Sequence, residues 1–154
     1  MKYKRKMSVV VGIIASLYLA LLAITGDHGG SALKYGKYII IMIGLIIYYN
    51  KAVSTWTYKE FIPKYLGSAV AISLTSGVII AICNTLLFLI KPSYSIQKYN
   101  LLSETMQQVA TIDLIIIIET VVLGLITAFI IFPYHKNKLM RANEVRKEQP
   151  DNMA

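Results

Sequence analysis

The chain is poor in the side chains from which catalytic chemistry is usually built: one cysteine, two histidines and eight carboxylates among 154 residues. The single Cys83 excludes an intramolecular disulfide. Within an apolar run it reads as a small buried hydrophobe. His28 and His135 are far apart, and neither has Cys, His or carboxylate neighbours at metal-ligand spacing, so no metal and no cofactor are expected. No serine or cysteine nucleophile has a base at a recognisable distance. Gly26, Gly29 and Gly30 follow no strand, which makes them a flexible turn rather than a phosphate loop. The sequence therefore predicts no enzyme.

What the chain does have is long apolar runs. Its residues are 56% hydrophobic, and its mean hydropathy is +0.57, above the usual globular composition. Four runs cover residues 7–25, 33–53, 65–90 and 112–132. About 20 helical residues cross a hydrocarbon core about 30 Å thick. Four such runs take up more than half the chain and leave only short connections and two tails. The predicted fold class is all-α: a polytopic membrane protein forming one domain, with four transmembrane helices in a bundle. The first run follows a basic start like a secretory signal. It is longer than a signal core and lacks a well-placed cleavage site, so an uncleaved anchor is expected.

Charge gives the direction. The net charge of +8 could attract nucleic acid, but the positive residues flank apolar runs instead of lining a soluble face. The expected partner is the lipid bilayer, and no nucleic acid is expected. Lys2, Lys4, Arg5 and Lys6 open the chain; Lys51, Lys59 and Lys64 occupy the middle connection; Lys136, Lys138, Arg141, Arg146 and Lys147 close it. The other two connections hold Lys34, Lys37, Lys91 and Lys98. Cytoplasmic connections are rich in Lys and Arg, so both tails are expected in the cytoplasm. Lys34 and Lys37 are expected to snorkel to the outer headgroups. Tyr35 and Tyr38 outside, and Tyr48, Tyr49, Trp56 and Tyr58 inside, suit an interfacial aromatic belt.

Within the runs, small residues recur at spacing four: Gly12, Ser16 and Ala20; Ala69, Ser73, Gly77 and Ala81; Thr120, Gly124 and Ala128. Such strips let helices approach closely in lipid. They suit packing within a bundle or between copies. Pro63 is expected in the first turn of the third helix, after an interfacial segment at 55–62. In the outer connection Ile96, Tyr99, Leu102, Met106 and Val109 recur at steps of three or four. That stripe predicts a short amphipathic outer helix or an extension of the fourth helix. The tail at 134–154 is polar and is expected to fray.

Glu119 is the one carboxylate well inside an apolar run, and ionisable groups in a bilayer suggest function by default. The candidate intramembrane polar site comprises Glu119, Thr120, Asn84 and Asp113. Asp113 and Thr120 share a helix face, with Glu119 turned about 100° from Thr120. Asn84 is a candidate hydrogen-bond partner and Lys91 a candidate counter-ion for Asp113. These residues make up only part of a proton or cation relay. A carboxylate that joins two helices is the simpler reading.

Several segments resemble a bacterial family known as domain of unknown function 4199. They are Ile43-Gly44-Leu45-Ile46-Ile47-Tyr48-Tyr49, Thr57-Tyr58-Lys59-Glu60-Phe61, the helix exit with Asn84, Phe88 and Ile90-Lys91-Pro92, and Leu123-Gly124-Leu125-Ile126. The resemblance covers roughly 35–138. It departs at Tyr65, where the family usually has glycine, and in a shorter outer loop. It implies four helices in a bacterial inner membrane and no assigned activity or functional residues. The expectation is a non-enzymatic accessory or structural subunit that pairs with itself or with another membrane protein. The alternative is a small oligomeric transporter or channel using the intramembrane carboxylate. Small multidrug exporters have this size, but they carry their Glu in the first helix, which here is uncharged.

Overall fold

In the computed structural model, residues 2–24, 35–90 and 106–148 are described, and all but Trp56 and Thr57 are helical. Helix α1 spans Lys2–Ile24, α2 Gly36–Ala52, α3 Tyr58–Ile90 and α4 Met106–Glu148. A 3-10 turn, Val53–Thr55, follows α2. All four helices are long and apolar enough to cross a membrane. The protein is a multi-pass helical membrane protein.

Contacts along the helices fix their directions. Ser76 Oγ reaches Ser8 O at 3.2 Å and Cys83 Sγ reaches Ser16 O at 3.9 Å, so α1 and α3 run parallel. Asn84 meets Asp113 while Tyr65 meets Ala128, so α3 and α4 are antiparallel. Tyr3 stacks on Tyr48 at one end of α1, and Tyr18 meets Gly36 towards the other. The main neighbours are α1 with α2, α2 with α4, α4 with α3 and α3 with α1. This up-down-up-down order gathers the N-terminal tail, the middle connection and the C-terminal segment at one end. Every basic cluster of the charge pattern is therefore on that end.

The bundle is apolar both on its outer surface and in its core, where Leu19, Leu45, Ile72, Ile80, Ile112 and Ile116 are buried. Large aliphatics face outward, among them Leu17, Leu21, Ile43, Ile82, Leu86, Ile118 and Ile130. Small and hydroxyl-bearing residues face inward: Ala15, Ala69, Ser73, Ser76 and Thr120 are all fully or nearly fully buried. In water such a skin would be an aggregation liability. In lipid it costs nothing, and close packing of small residues supplies the association. The small-residue strips are used within the bundle. Gly77 lies against Ile117 and Thr120, and Gly124 sits so tightly on Ser73 that no Cβ fits. Thr120 of these strips turns its hydroxyl to Ile116 O at 2.7 Å, as nearby Thr127 does to Leu123 O at 2.8 Å, while the buried hydroxyls of Ser16 and Ser73 meet no hydrogen-bond partner among the described residues.

Three features depart from the sequence reading. Helix α3 starts at Tyr58, seven residues before the apolar run. Thr57 and Glu60 are spaced as in a capping box, with Thr57 Oγ1 donating to Glu60 at 2.9 Å, and Lys64 pairs with Glu60 at 2.8 Å. Pro63 thus lies in the second turn, on an exposed face. Helix α4 continues through Pro133 to Glu148 instead of fraying after Tyr134. Its inward stripe persists past the apolar run in His135 and Leu139, both 1% exposed. Lys138 reaches Asn50 O at 3.3 Å. Tertiary packing thus overrides the polar composition.

The third departure is the aromatic belt. Tyr49 and Tyr65 are fully buried and stack at 4.0 Å, with Trp56, Phe61, Phe132 and His135 around them. Tyr49 donates to Tyr65 O at 2.8 Å and Tyr65 to Ala128 O at 3.2 Å. A phenol can enter the bundle when its hydroxyl finds a carbonyl, so these rings form a plug at the basic end. Tyr35 and Tyr134 remain outward, as a belt requires. Of the predicted outer stripe, Val109 is buried in α4. The expected outer amphipathic helix itself lies outside the described residues, as do Lys34, Lys91 and His28.

Candidate functional site

The carboxylates inside the apolar runs lie in the half of the bundle away from the basic end, whereas buried His135 belongs to the aromatic plug at the basic end. Asp113 and Glu119 come from α4, six residues apart, and so point in different directions. Asp113 faces α3, where Asn84 Nδ2 donates to it at 2.7 Å and Thr85 Oγ1 at 2.5 Å. Asn84 is completely buried. Two neutral donors, one per oxygen, tie α3 to α4, and among the described residues no ammonium or guanidinium pairs with Asp113.

Glu119 faces α2. The Tyr38 hydroxyl donates to its Oε2 in a short hydrogen bond, and Lys37 Nζ is 3.8 Å from the same oxygen. The Lys37 ammonium also lies 4.7 Å from the Tyr38 ring centre, within cation–π range. Lys37 does not snorkel outward as its place near the start of α2 suggested. Its side chain is 1% exposed, because a carboxylate and a ring face within the bundle replace headgroup contact. The Glu119 side chain keeps 33% exposure.

Of the four residues the sequence singled out, Asn84 and Asp113 meet each other, while Glu119 belongs to a separate contact. Thr120 joins neither. It is fully buried against Gly77, with its hydroxyl on the backbone. Sequence reasoning missed Lys37, Tyr38 and Thr85. Lys37 and Tyr38 were legible only as boundary residues, since nothing in a sequence gives the rotation of α2 about its axis. Thr85, adjacent to Asn84, could have been found as a second donor at the same helix level.

Chemically, the arrangement has one carboxylate beside an amine and a phenol, and a second carboxylate held by neutral donors. Among the described residues no group of His, Cys, Asp and Glu could hold a metal. Towards the basic end the interior is lined by Leu45, Ile72, Val11, Ala15 and hydroxyls bonded to backbone carbonyls. No family model, curated protein or solved structure matches this chain.

Proposed function

We propose that the protein is a non-enzymatic accessory or structural subunit of a bacterial inner membrane, assembling with itself or with another membrane protein. The observation that carries this reading is the internal closure of the ionisable groups. Asp113 is taken up by α3 and Glu119 by α2, so both serve as ties between helices. A relay would need polar partners continuing along the membrane depth, and the packed aliphatic and hydroxyl interior described above favours a tie over a path. An orientation with both tails in the cytoplasm is supported by the basic end. The resemblance to domain of unknown function 4199 fits the same setting and assigns no activity.

The reading expects a stable complex. Crosslinking in native membranes followed by gentle detergent extraction should recover this chain as an oligomer or with a specific membrane partner. Recovery of monomer alone would count against it. A reporter fused to the C-terminus should act as cytoplasmic, and periplasmic activity would overturn the orientation. The second reading, a small oligomeric transporter or channel, is favoured by the one-third exposure of the Glu119 side chain. Proteoliposomes separate the two: proton-coupled flux that disappears in Glu119→Gln would establish the transporter.

A further inference from the structure

A groove opens at the basic end, between the first turn of α1, the end of α2 with its 3-10 turn, and the first turns of α3. It has a volume of about 880 Å³. Three lysines from three helices line it, Lys4, Lys51 and Lys64, with Tyr3, Tyr48 and Trp56 among the walls and no carboxylate in the lining. Lys64 pairs with Glu60 at 2.8 Å. Lys4 Nζ donates to the Gly67 carbonyl at 3.4 Å, and Lys51 Nζ stands 5.7 Å from the Tyr3 ring centre. Among the described residues neither has a carboxylate within ion-pair distance. Gly67 lies on the wall of the groove, and a Cβ there would meet nothing within 4 Å. The groove is open space bounded by ammonium groups and ring faces.

Its depth in the membrane decides what enters it. The groove sits where the apolar runs of α1, α2 and α3 begin or end, the level of lipid headgroups. Basic pockets between membrane helices at this level suit anionic headgroups. We propose that the groove binds a phosphate ester, supplied by the headgroup of an anionic phospholipid. The ammonium groups of Lys4 and Lys51 engage the phosphate oxygens, and the tyrosine and tryptophan rings hold the glycerol and upper acyl region.

Trp56 is the chain's one tryptophan and lines the groove, so its fluorescence reports occupancy. The full chain would be placed in phosphatidylcholine nanodiscs, which expose both faces and make the assay independent of orientation. Phosphatidylglycerol or phosphatidylcholine, each brominated on the acyl chains, is then added at equal mole fraction. Phosphatidylglycerol should quench Trp56 several-fold more effectively. A surface lysine contributes about 1 kcal/mol to anionic-lipid attraction, roughly a fivefold change in binding. Lys4→Gln with Lys51→Gln should therefore abolish most of the preference. Gly67→Phe, which fills the groove and keeps every lysine, should do the same.

Lys136→Gln with Arg141→Gln removes the same charge from exposed positions on α4 outside the groove lining, so it should lower only the general surface attraction and keep clearly more of the preference than the groove pair does. Helicity by circular dichroism checks that each variant is folded. Equal quenching by both lipids in the wild type overturns the proposal, as does an equal loss in the α4 control. Saturable quenching or shift on adding soluble glycerol phosphate to zwitterionic discs, with no lipid preference, would keep the phosphate site and overturn the lipid as its source.

Discussion

Replacing Glu119 by Gln removes the carboxylate 3.8 Å from the Lys37 ammonium and keeps the side chain's size. The partners are unequally buried, 1% exposed for Lys37 and 33% for Glu119, so the two single substitutions should not cost the same. An ammonium that loses its counter-charge while enclosed is expensive; breaking a buried pair costs about 3–5 kcal/mol when the survivor stays buried. Lys37 lies one residue into α2 and can partly relax outward, which brings the expected cost of Glu119→Gln to about 2–3 kcal/mol. Lys37→Met leaves a carboxylate that is a third open and still receives the Tyr38 hydroxyl. That exposure leaves it open to water, so the cost should be about 1 kcal/mol, the scale of polar contacts measured within membranes. The double substitution should cost little more than Lys37→Met alone, a coupling of about 2 kcal/mol. Reversible unfolding in mixed micelles, followed by circular dichroism, measures all three. Costs that simply add, or a Lys37→Met variant less stable than Glu119→Gln, would refute the ion pair as the tie between α2 and α4.

The second tie is weaker because its donors are neutral: Asn84→Leu leaves Asp113 with Thr85 as its donor and should cost about 1–2 kcal/mol in the same unfolding assay. Gly124→Ala forces a methyl onto Ser73, where no Cβ fits, and should destabilise by about 1–3 kcal/mol. Gly67→Ala, in open space, should instead stabilise by about 0.5–1 kcal/mol through helix propensity, and equal melting shifts for the two glycines would contradict the packing. Leu139→Ala should cost about 2 kcal/mol or more, because the buried side chain is 1% exposed. A neutral result would show that α4 is not packed beyond Pro133.

The four helices were legible because hydrophobic length has one physical cause, the thickness of the bilayer, and leaves a mark in any sequence. The small-residue strips were legible for a similar reason. Spacing of four fixes a face, and the faces bearing Ser73, Gly77 and Gly124 are the ones that meet. The divergence of Asp113 and Glu119 could also be computed from 100° per residue, and they do face different helices. Helix rotation left no such mark. Lys37 near a helix start reads as a snorkelling residue whether it faces lipid or Glu119, because the sequence places it in depth but not in azimuth. The same ambiguity hid the aromatic plug: Tyr48, Tyr49 and Trp56 have belt composition and core positions. The length of α4 was hidden because His135 and Leu139 are two inward residues among many polar ones, and only their burial in the core, His135 against Tyr49 and Tyr65, gives them weight.

The two ends of the bundle are closed by opposite means, and the difference follows from what each end must hold together. At the basic end every helix terminus carries ammonium groups that repel one another, so the closing contacts there are neutral: stacked rings with phenols donating to backbone carbonyls. Among the described residues Glu60 is the one carboxylate that pairs at that end, and it pairs within its own helix. At the other end the two carboxylates within the apolar run of α4 reach sideways, Asp113 to α3 and Glu119 to α2. Helix α4 thereby becomes the element that both ionisable ties share. Helix α1 meets its neighbours through Gly12, Ser8 and Ser16, by close packing and contacts to its backbone carbonyls. Polar ties in membranes add modestly to packing, so their value here is directional. They fix which faces of α2 and α3 turn towards α4, and α1 then fits the groove those two helices leave.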